Sequence, residues 1–371
     1  MFDPIRPYNN LPLLPPAVEL ESKAVLKLCV EARTALAELR FAGRLMPDQS
    51  VLINAIPILE ARDSSEIENI VTTNDALFRE ASLGEAEAKP ATKEALRYRT
   101  ALYQGFRVLT ERPVSTRMAE DLCRTITGID AGIRRLPGRT LRNSFTGEVI
   151  YTPPEGEDRL RGLMANWEHF FHRVDEYDPL VRMAALHYQF EAIHPFPDGN
   201  GQTGRILNIL MLIQGKLLDL PTLSLSRHIL RTRADYYRLL PRVTTDGEWE
   251  PWLLYMIEAV RATATWTSLK VAAIRHLMDE TMRHVRAGAS KIYTRELIEL
   301  VFAMPYCRIA NVVERDIAKR QAASTYLTAL VGLGVLAEEK KGRDKIFVHP
   351  KYLALLSSDD HVFTPYGRTT S

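Results

Sequence analysis

The chain has 371 residues, more than one compact domain usually holds, and 46% hydrophobic against 25% charged residues gives it material for a full core in two or three folding units. A formal charge of +2 is too balanced to announce a polyanion partner in bulk, and no run approaches eighteen uncharged apolar residues, which excludes an apparent membrane span. Three cysteines, Cys29, Cys123 and Cys307, stand far apart with no CxxC spacing, so neither a disulfide framework nor a zinc ribbon is expected, and the chain reads as a cytoplasmic protein with reduced thiols.

The predicted elements are mostly helical. The opening, with Pro12, Pro15 and Pro16, must be extended, because proline fixes its own backbone and biases the residue before it away from helix. From Ala17 to about Ala42, Val18, Val25, Leu28, Ala32, Leu36 and Leu39 recur as a helical stripe. Helical patterns follow at about 52–68, 92–110, 115–127, 157–174, 179–193, 202–215 and 249–284. Between Leu141 and Pro153, Thr146-Gly147 signals a turn and Val149, Ile150 and Tyr151 favour strand, so a short exposed hairpin is expected.

After about residue 288 three helices and a two-stranded ribbon turning after Lys340, Lys341 and Gly342 make a winged-helix pattern. Ser324, Thr325 and Tyr326 fall early on its third helix, where a DNA reader places base-contacting side chains, although such units also dock proteins or form dimers. The polar tail is expected to be loose.

Chemistry concentrates in "HPFPDGNGQTGR", residues 194–205, between two helical runs. Gly199, Asn200 and Gly201 fall at the N-terminus of the second run, where free N–H groups and the helix dipole favour an anion. Glycines let backbone approach a phosphate, and Arg205, about one turn on, can grip the same anion. Asp198 offers carboxylate oxygen to Mg²⁺. His194, ordinarily titrating near ~6.5, is a base candidate, with Pro195 and Phe196 as scaffold. A rival is a metal site from His169, His172, His187, His194 and Asp198. The chain has neither a GxxxxGK[ST] loop nor an HExxH motif.

That stretch resembles the Fic family signature HxFx(D/E)GNGRxxR at every defined position except the first arginine, here Gln202. The Pro-rich start, the segment around "TGEVIYTPP" and the winged-helix end resemble one Fic subgroup, so the likeness covers nearly the whole chain. It implies a mainly helical Fic core with a β-hairpin flap and a C-terminal winged helix: residues 1–95 an N-terminal region with an inhibitory motif, 96–285 the catalytic core, 288–353 the winged helix and 354–371 a loose tail.

The likeness also implies an activity: transfer of AMP from ATP, with Mg²⁺, to a Ser, Thr or Tyr hydroxyl of a target protein. His194 is then the general base, Asp198 the metal ligand and Asn200 the holder of the α-phosphate. Gly199, Gly201, Thr203 and Gly204 belong to the nucleotide loop, Gln202 stands where an arginine meets the β-phosphate, and Arg205 takes the γ-phosphate end. Thr232 stands where the subgroup keeps an asparagine near adenine, and Tyr236 and Tyr237 are expected in the core. The flap, Gly147, Glu148, Val149, Ile150 and Tyr151, would receive a target segment as an added strand.

"DSSEIEN", residues 63–69, resembles the family's inhibitory motif (S/T)xxxE(G/N), with Ser64, Glu68 and Asn69 in the defined places. Glu68 would pair with Arg205 and bar the γ-phosphate. The same letters also fit a capping box, in which Ser65 and Glu68 open a helix. The subgroup often forms homodimers. Two other readings stay open: a winged-helix DNA regulator with a nucleotide-sensing core, and a transferase using another phosphate-containing donor.

Overall fold

The computed structural model describes residues 2–84, 88–130, 132–142, 146–173, 176–341 and 344–367, with the side chains of Lys341 and Asp344 left aside. Asn143, Ser144 and Phe145 of the expected hairpin, Val174, Gly342 and the last four residues of the tail lie outside the described residues.

The chain begins extended and enters α1 (Lys23–Arg44) six residues later than the stripe from Ala17 suggests, because Ser22 caps it by accepting from the Val25 N–H at 3.3 Å. Then come α2 (Ser50–Ile67), α3 (Asn74–Leu83), α4 (Pro90–Val108) and α5 (Thr116–Thr127), and a hairpin of β1 (Leu141–Arg142) and β2 (Val149–Tyr151). The centre is α6 (Glu157–Phe171), α7 (Pro179–Ile193) and α8 (Asn200–Gln214), followed by α9 (Leu225–Arg231), α10 (Arg233–Asp246) and the 40-residue α11 (Trp249–Gly288). The short helices α3, α9 and α10 have no counterpart among the sequence-level elements.

α7 and α8 are buried on every face, Leu180–Ile193 in one and nearly all of Asn200–Leu212 in the other, so the loop joining them is held by the densest part of the core. α1 lays Val25, Cys29, Ala32, Leu36 and Leu39 along α11. α2 is buried along most of its length and touches α4, α8 and α9.

The C-terminal unit holds α12 (Arg295–Ala303), β3 (Tyr306–Cys307), α13 (Ile309–Glu314), α14 (Arg320–Gly332), β4 (Ala337–Lys341), β5 (Asp344–Val348) and α15 (Pro350–Ser357). Its antiparallel sheet has the order β3-β5-β4, so the ribbon gains a third short strand. The unit sits on α2 and α3: Asn54 donates to the Ala303 carbonyl at 3.2 Å, Arg308 to the Leu83 carbonyl at 2.9 Å, and Arg79 pairs with Glu339 at 3.0 Å.

The loose-tail expectation needs correction for residues 354–367. α15 takes the first of them, and the rest lie along α11, where Lys270 donates to the carbonyls of Leu355, Ser358 and Asp360 and the Tyr366 ring stacks on His284 with centroids 4.5 Å apart. A buried lysine must find acceptors, and these backbone oxygens tie the segment down. Among the described residues no helix is long and apolar enough to cross a membrane.

Candidate active site

His194 closes α7 in the left-handed region, at φ 49° and ψ 59°, with its N–H donating to the Phe190 carbonyl at 2.9 Å. The turn carries the chain directly into the loop. The imidazole is buried, and burial, aided by Arg139 and Arg134, lowers its pKa to about 3 against a backbone hydrogen bond to Glu191. It is held neutral.

Asn200 folds its side chain back on the loop, accepting from the Phe196 N–H at 2.9 Å and donating to the Phe196 carbonyl at 2.8 Å. That pair seats the buried Phe196 ring edge-on to Phe190. The side chain expected to hold a phosphate is thus engaged as a loop fastener. Gly199 has φ 75°, and a Cβ there would stand 2.8 Å from Thr127 Cγ2, so turn and packing both call for glycine. Exposed Asp198 takes the Gly199 N–H on Oδ1 at 2.9 Å.

α8 therefore starts with first-turn N–H groups aimed at the loop; Thr203 is the first residue to donate back, to the Gly199 carbonyl at 3.0 Å. Gln202 is buried beside Glu94, whose carboxyl is pushed up by burial against the pull of Arg97 and of a hydrogen bond from Gln202, with Asp198 and Glu68 adding to the rise. One turn deeper, Gly204 lies against Glu191 and His187. Burial pushes Glu191 up to about 7, and drops His187 to about 3 while its Nε2 meets the Tyr236 hydroxyl at 2.9 Å.

Arg205 points at α2. Its Nε donates to Ser64 Oγ at 2.9 Å, and its Nη2 donates to the Ser64 carbonyl at 3.0 Å and to Glu68 Oε1 at 2.8 Å. The arginine side chain is 2% exposed and the glutamate 38%, so the carboxylate sits at the mouth of the pocket that buries its partner. Burial alone would weaken the guanidinium, but Glu68, with the Tyr98 and Tyr236 oxygens, holds it above the ordinary arginine range. A Cβ on Gly201 would lie 2.5 Å from Glu68 Oε1, which shows how closely the carboxylate approaches the start of α8. Glu68 is the C-cap of α2 and Asn69 follows at φ 64°, so the segment ends a helix and the capping-box reading fails.

The remaining expected residues divide. Thr232 is engaged at the α9–α10 junction, with Oγ1 on the His228 carbonyl at 2.7 Å and at 2.9 Å from the Tyr255 hydroxyl. Tyr236 is buried, but Tyr237 is 42% exposed under the Arg233 guanidinium, which also reaches Asn69 Oδ1 at 3.2 Å; it is no core residue. In the hairpin Leu141 faces Tyr151 and Arg142 faces Val149, with Gly147, Glu148 and Ile150 exposed. The rival histidine cluster does not form: His169 and His172 are exposed, His187 and His194 buried, and no three candidate metal ligands gather among the described residues.

Sequence reasoning missed Arg134. Its guanidinium and backbone N–H hold the carbonyls around His194, and a lone arginine in a loop carries no local signal for that role.

Residues 26–107 match the family described as Fic/DOC family N-terminal, 113–212 the Fic/DOC family, and 277–352 the protein adenylyltransferase SoFic-like C-terminal domain. Protein adenylyltransferase fic-1 of Caenorhabditis briggsae is 37% identical over 87 residues, 23% of this chain and 16% of that relative. Protein adenylyltransferase Fic of Drosophila mojavensis is 29% identical over 113 residues, 30% of this chain and 21% of that relative. The matches thus span about a fifth of these relatives' lengths. A crystal structure of a Fic family protein from Desulfovibrio desulfuricans G20 superposes with a TM-score of 0.59 at 18% identity, covering 88% of this chain and 96% of that one, which is a likeness of fold.

Proposed function

From a chain that carries Fic/DOC family domains, we propose a protein adenylyltransferase that moves AMP from ATP to a hydroxyl of a target protein and is held off by Glu68. The observation that carries this reading is the Arg205–Glu68 contact at 2.8 Å beside the first turn of α8, an anion site whose cation is already taken by the chain's own carboxylate. The adenylyltransferase names of the partial relatives support the chemistry.

In the reaction, neutral His194 takes the proton of the target hydroxyl, whose oxygen forms a bond to the α-phosphorus. The bond from that phosphorus to the bridging oxygen breaks and pyrophosphate leaves with the electron pair. The buried imidazole is in its base form near neutral pH, and negative phosphates beside it raise its basicity. First-turn N–H groups of α8 meet the α- and β-phosphates, and Arg205, once released, meets the γ-phosphate. Asn200 acts through the loop it fastens. Asp198 would hold Mg²⁺: its carboxylate is exposed and, among the described residues, engaged through one oxygen, which suits a hard cation. When bound, that ion neutralises phosphate charge.

Intact mass of the Glu68→Gly protein after incubation with ATP and Mg²⁺ tests the reading. A gain of one adenylate supports it, and a gain of one phosphate would point to the other-donor reading that Gln202 raises.

A second reading concerns the winged-helix arrangement at the C-terminal end. α14 exposes Arg320, Gln321, Thr325 and Thr328 as a polar stripe with no acidic residue, and Lys319 and Lys340 are exposed without an ion pair among the described residues. Such a face fits the phosphates and groove of duplex DNA. We predict duplex binding that weakens steeply as salt rises from 50 to 200 mM, read by fluorescence anisotropy. Absence of binding at the lowest salt would leave the unit as a protein-docking element on α2 and α3.

A further inference from the structure

A helix leaves its last carbonyls without partners in its own ladder, and those at the end of α7 carry the candidate base. They are met from the flap side. Tyr151, the last residue of β2, donates its hydroxyl to the Ala192 carbonyl at 2.8 Å. Arg134 donates Nε to the His194 carbonyl at 2.9 Å, Nη2 to the Ile193 carbonyl at 3.4 Å and its backbone N–H to the Pro195 carbonyl at 2.8 Å. Its Nη2 also binds the carbonyl of Pro154, three residues beyond the end of β2.

Arg134 is 5% exposed and forms no ion pair among the described residues, so carbonyl dipoles are what offset its burial. The same dipoles favour a cation at a helix C-terminus. Two residues of the flap region therefore hold four consecutive carbonyls, Ala192 to Pro195, across the residue whose backbone is left-handed. The chain is also held just past Tyr151: Tyr8 donates its N–H to the Thr152 carbonyl at 2.9 Å, and Thr152 donates its hydroxyl to the Pro4 carbonyl at 2.6 Å.

We propose that Arg134 and Tyr151 are positioning residues, a joint through which a segment docked on the flap sets the aim of the His194 imidazole. The inference rests on the reading of His194 as the base for AMP transfer. A strand docked on the β1–β2 hairpin would bear on the end of β2, where Tyr151 and, three residues on, the Pro154 carbonyl stand. The guanidinium joins Pro154 to His194, whose φ and ψ direct the ring. Neither joint residue is bonded to Gly199–Arg205, so the joint governs turnover and leaves ATP binding alone.

The test uses the full chain carrying Glu68→Gly, with α-phosphate-labelled ATP and Mg²⁺ as the probe and the protein itself as acceptor. Tyr151→Phe should lower kcat about tenfold and Arg134→Met about a hundredfold, the scale expected when a reacting group is misplaced by around an ångström. ATP affinity, measured by calorimetry, should stay within about twofold in both. Arg134→Lys, which keeps a donor and the charge, should recover part of the loss. If Arg134→Met does not fold, Tyr151→Phe carries the test, since it removes one hydroxyl only. Full kcat in these variants, or ATP affinity falling in step with kcat, would overturn the joint. If the Glu68→Gly parent itself transfers no label, the underlying reading fails and takes the joint with it.

Discussion

At the scale of single residues, Gln202 separates this site from the signature it otherwise matches. Its amide is buried beside Glu94 and offers the start of α8 an N–H donor but no charge. A charged hydrogen bond contributes about 1.5–3 kcal/mol and a neutral one about 0.5–1.5, so Gln202→Arg should raise transfer about tenfold. The rate of label incorporation in the Glu68→Gly background checks this, and an unchanged rate would remove Gln202 from the phosphate contacts. The places of His194, Asp198, Gly199 and Arg205 on the helix–loop–helix were legible because the order of residue types along it fixes where each falls. Asn200 was legible as a position but not as a contact. Whether an amide turns to a ligand or to its own loop depends on the Phe196 backbone it meets, and no letter in the sequence encodes that.

At the scale of elements, α2 brings Glu60, Ser64 and Glu68 to one face at four-residue spacing, the last as its C-cap. The last two engage Arg205, while Glu60 is wholly buried and takes donors from Tyr98 Oη and the Ser226 N–H, both at 2.9 Å. Burial raises the Glu60 pKa to about 7 from 4.5, against the pull of those donors. The sign follows: the folded state binds the proton more tightly than the unfolded one, so this contribution is complete below pH 4.5 and is lost as pH rises through 7.

A shift of that size corresponds to roughly 3 kcal/mol. Glu60→Gln, which cannot ionise, should therefore gain stability relative to wild type as pH rises from 5 through 7; chemical denaturation at the two pH values measures it, and a difference that does not change with pH would contradict the assignment. The end of α2 is where two local readings stood open, an inhibitory motif and a capping box, beside a helical pattern at about 52–68. Ser-x-x-Glu suits either end of a helix, and only the long buried run from Val51 to Ala61 ahead of it decides that Glu68 ends one.

At the scale of the molecule, the helical class, the short hairpin and the C-terminal helices with their ribbon followed from periodicity and turn residues, and solid packing of α7 and α8 gave the loop its frame. What stayed hidden was docking between distant segments. The N-terminal stretch pins the flap through Tyr8 and Thr152, the C-terminal unit rests on α2 and α3, and Lys270 gathers the tail. Each depends on backbone carbonyls or single side chains far apart in the chain, which hydrophobic period does not report. One consequence is that α2 is held on several sides, by α4, α8, α9 and the C-terminal α12, so the Glu68–Arg205 contact is part of the packed fold.

The measurement closest to the central claim compares wild type, Glu68→Gly and Glu68→Gly/His194→Ala, each incubated with Mg²⁺ and ATP labelled on the α-phosphate. Freeing Arg205 from its 2.8 Å contact should raise label on protein at least tenfold in the single variant, and removing the imidazole should abolish it in the double. Equal label in wild type and Glu68→Gly, or label that survives loss of His194, would contradict the account.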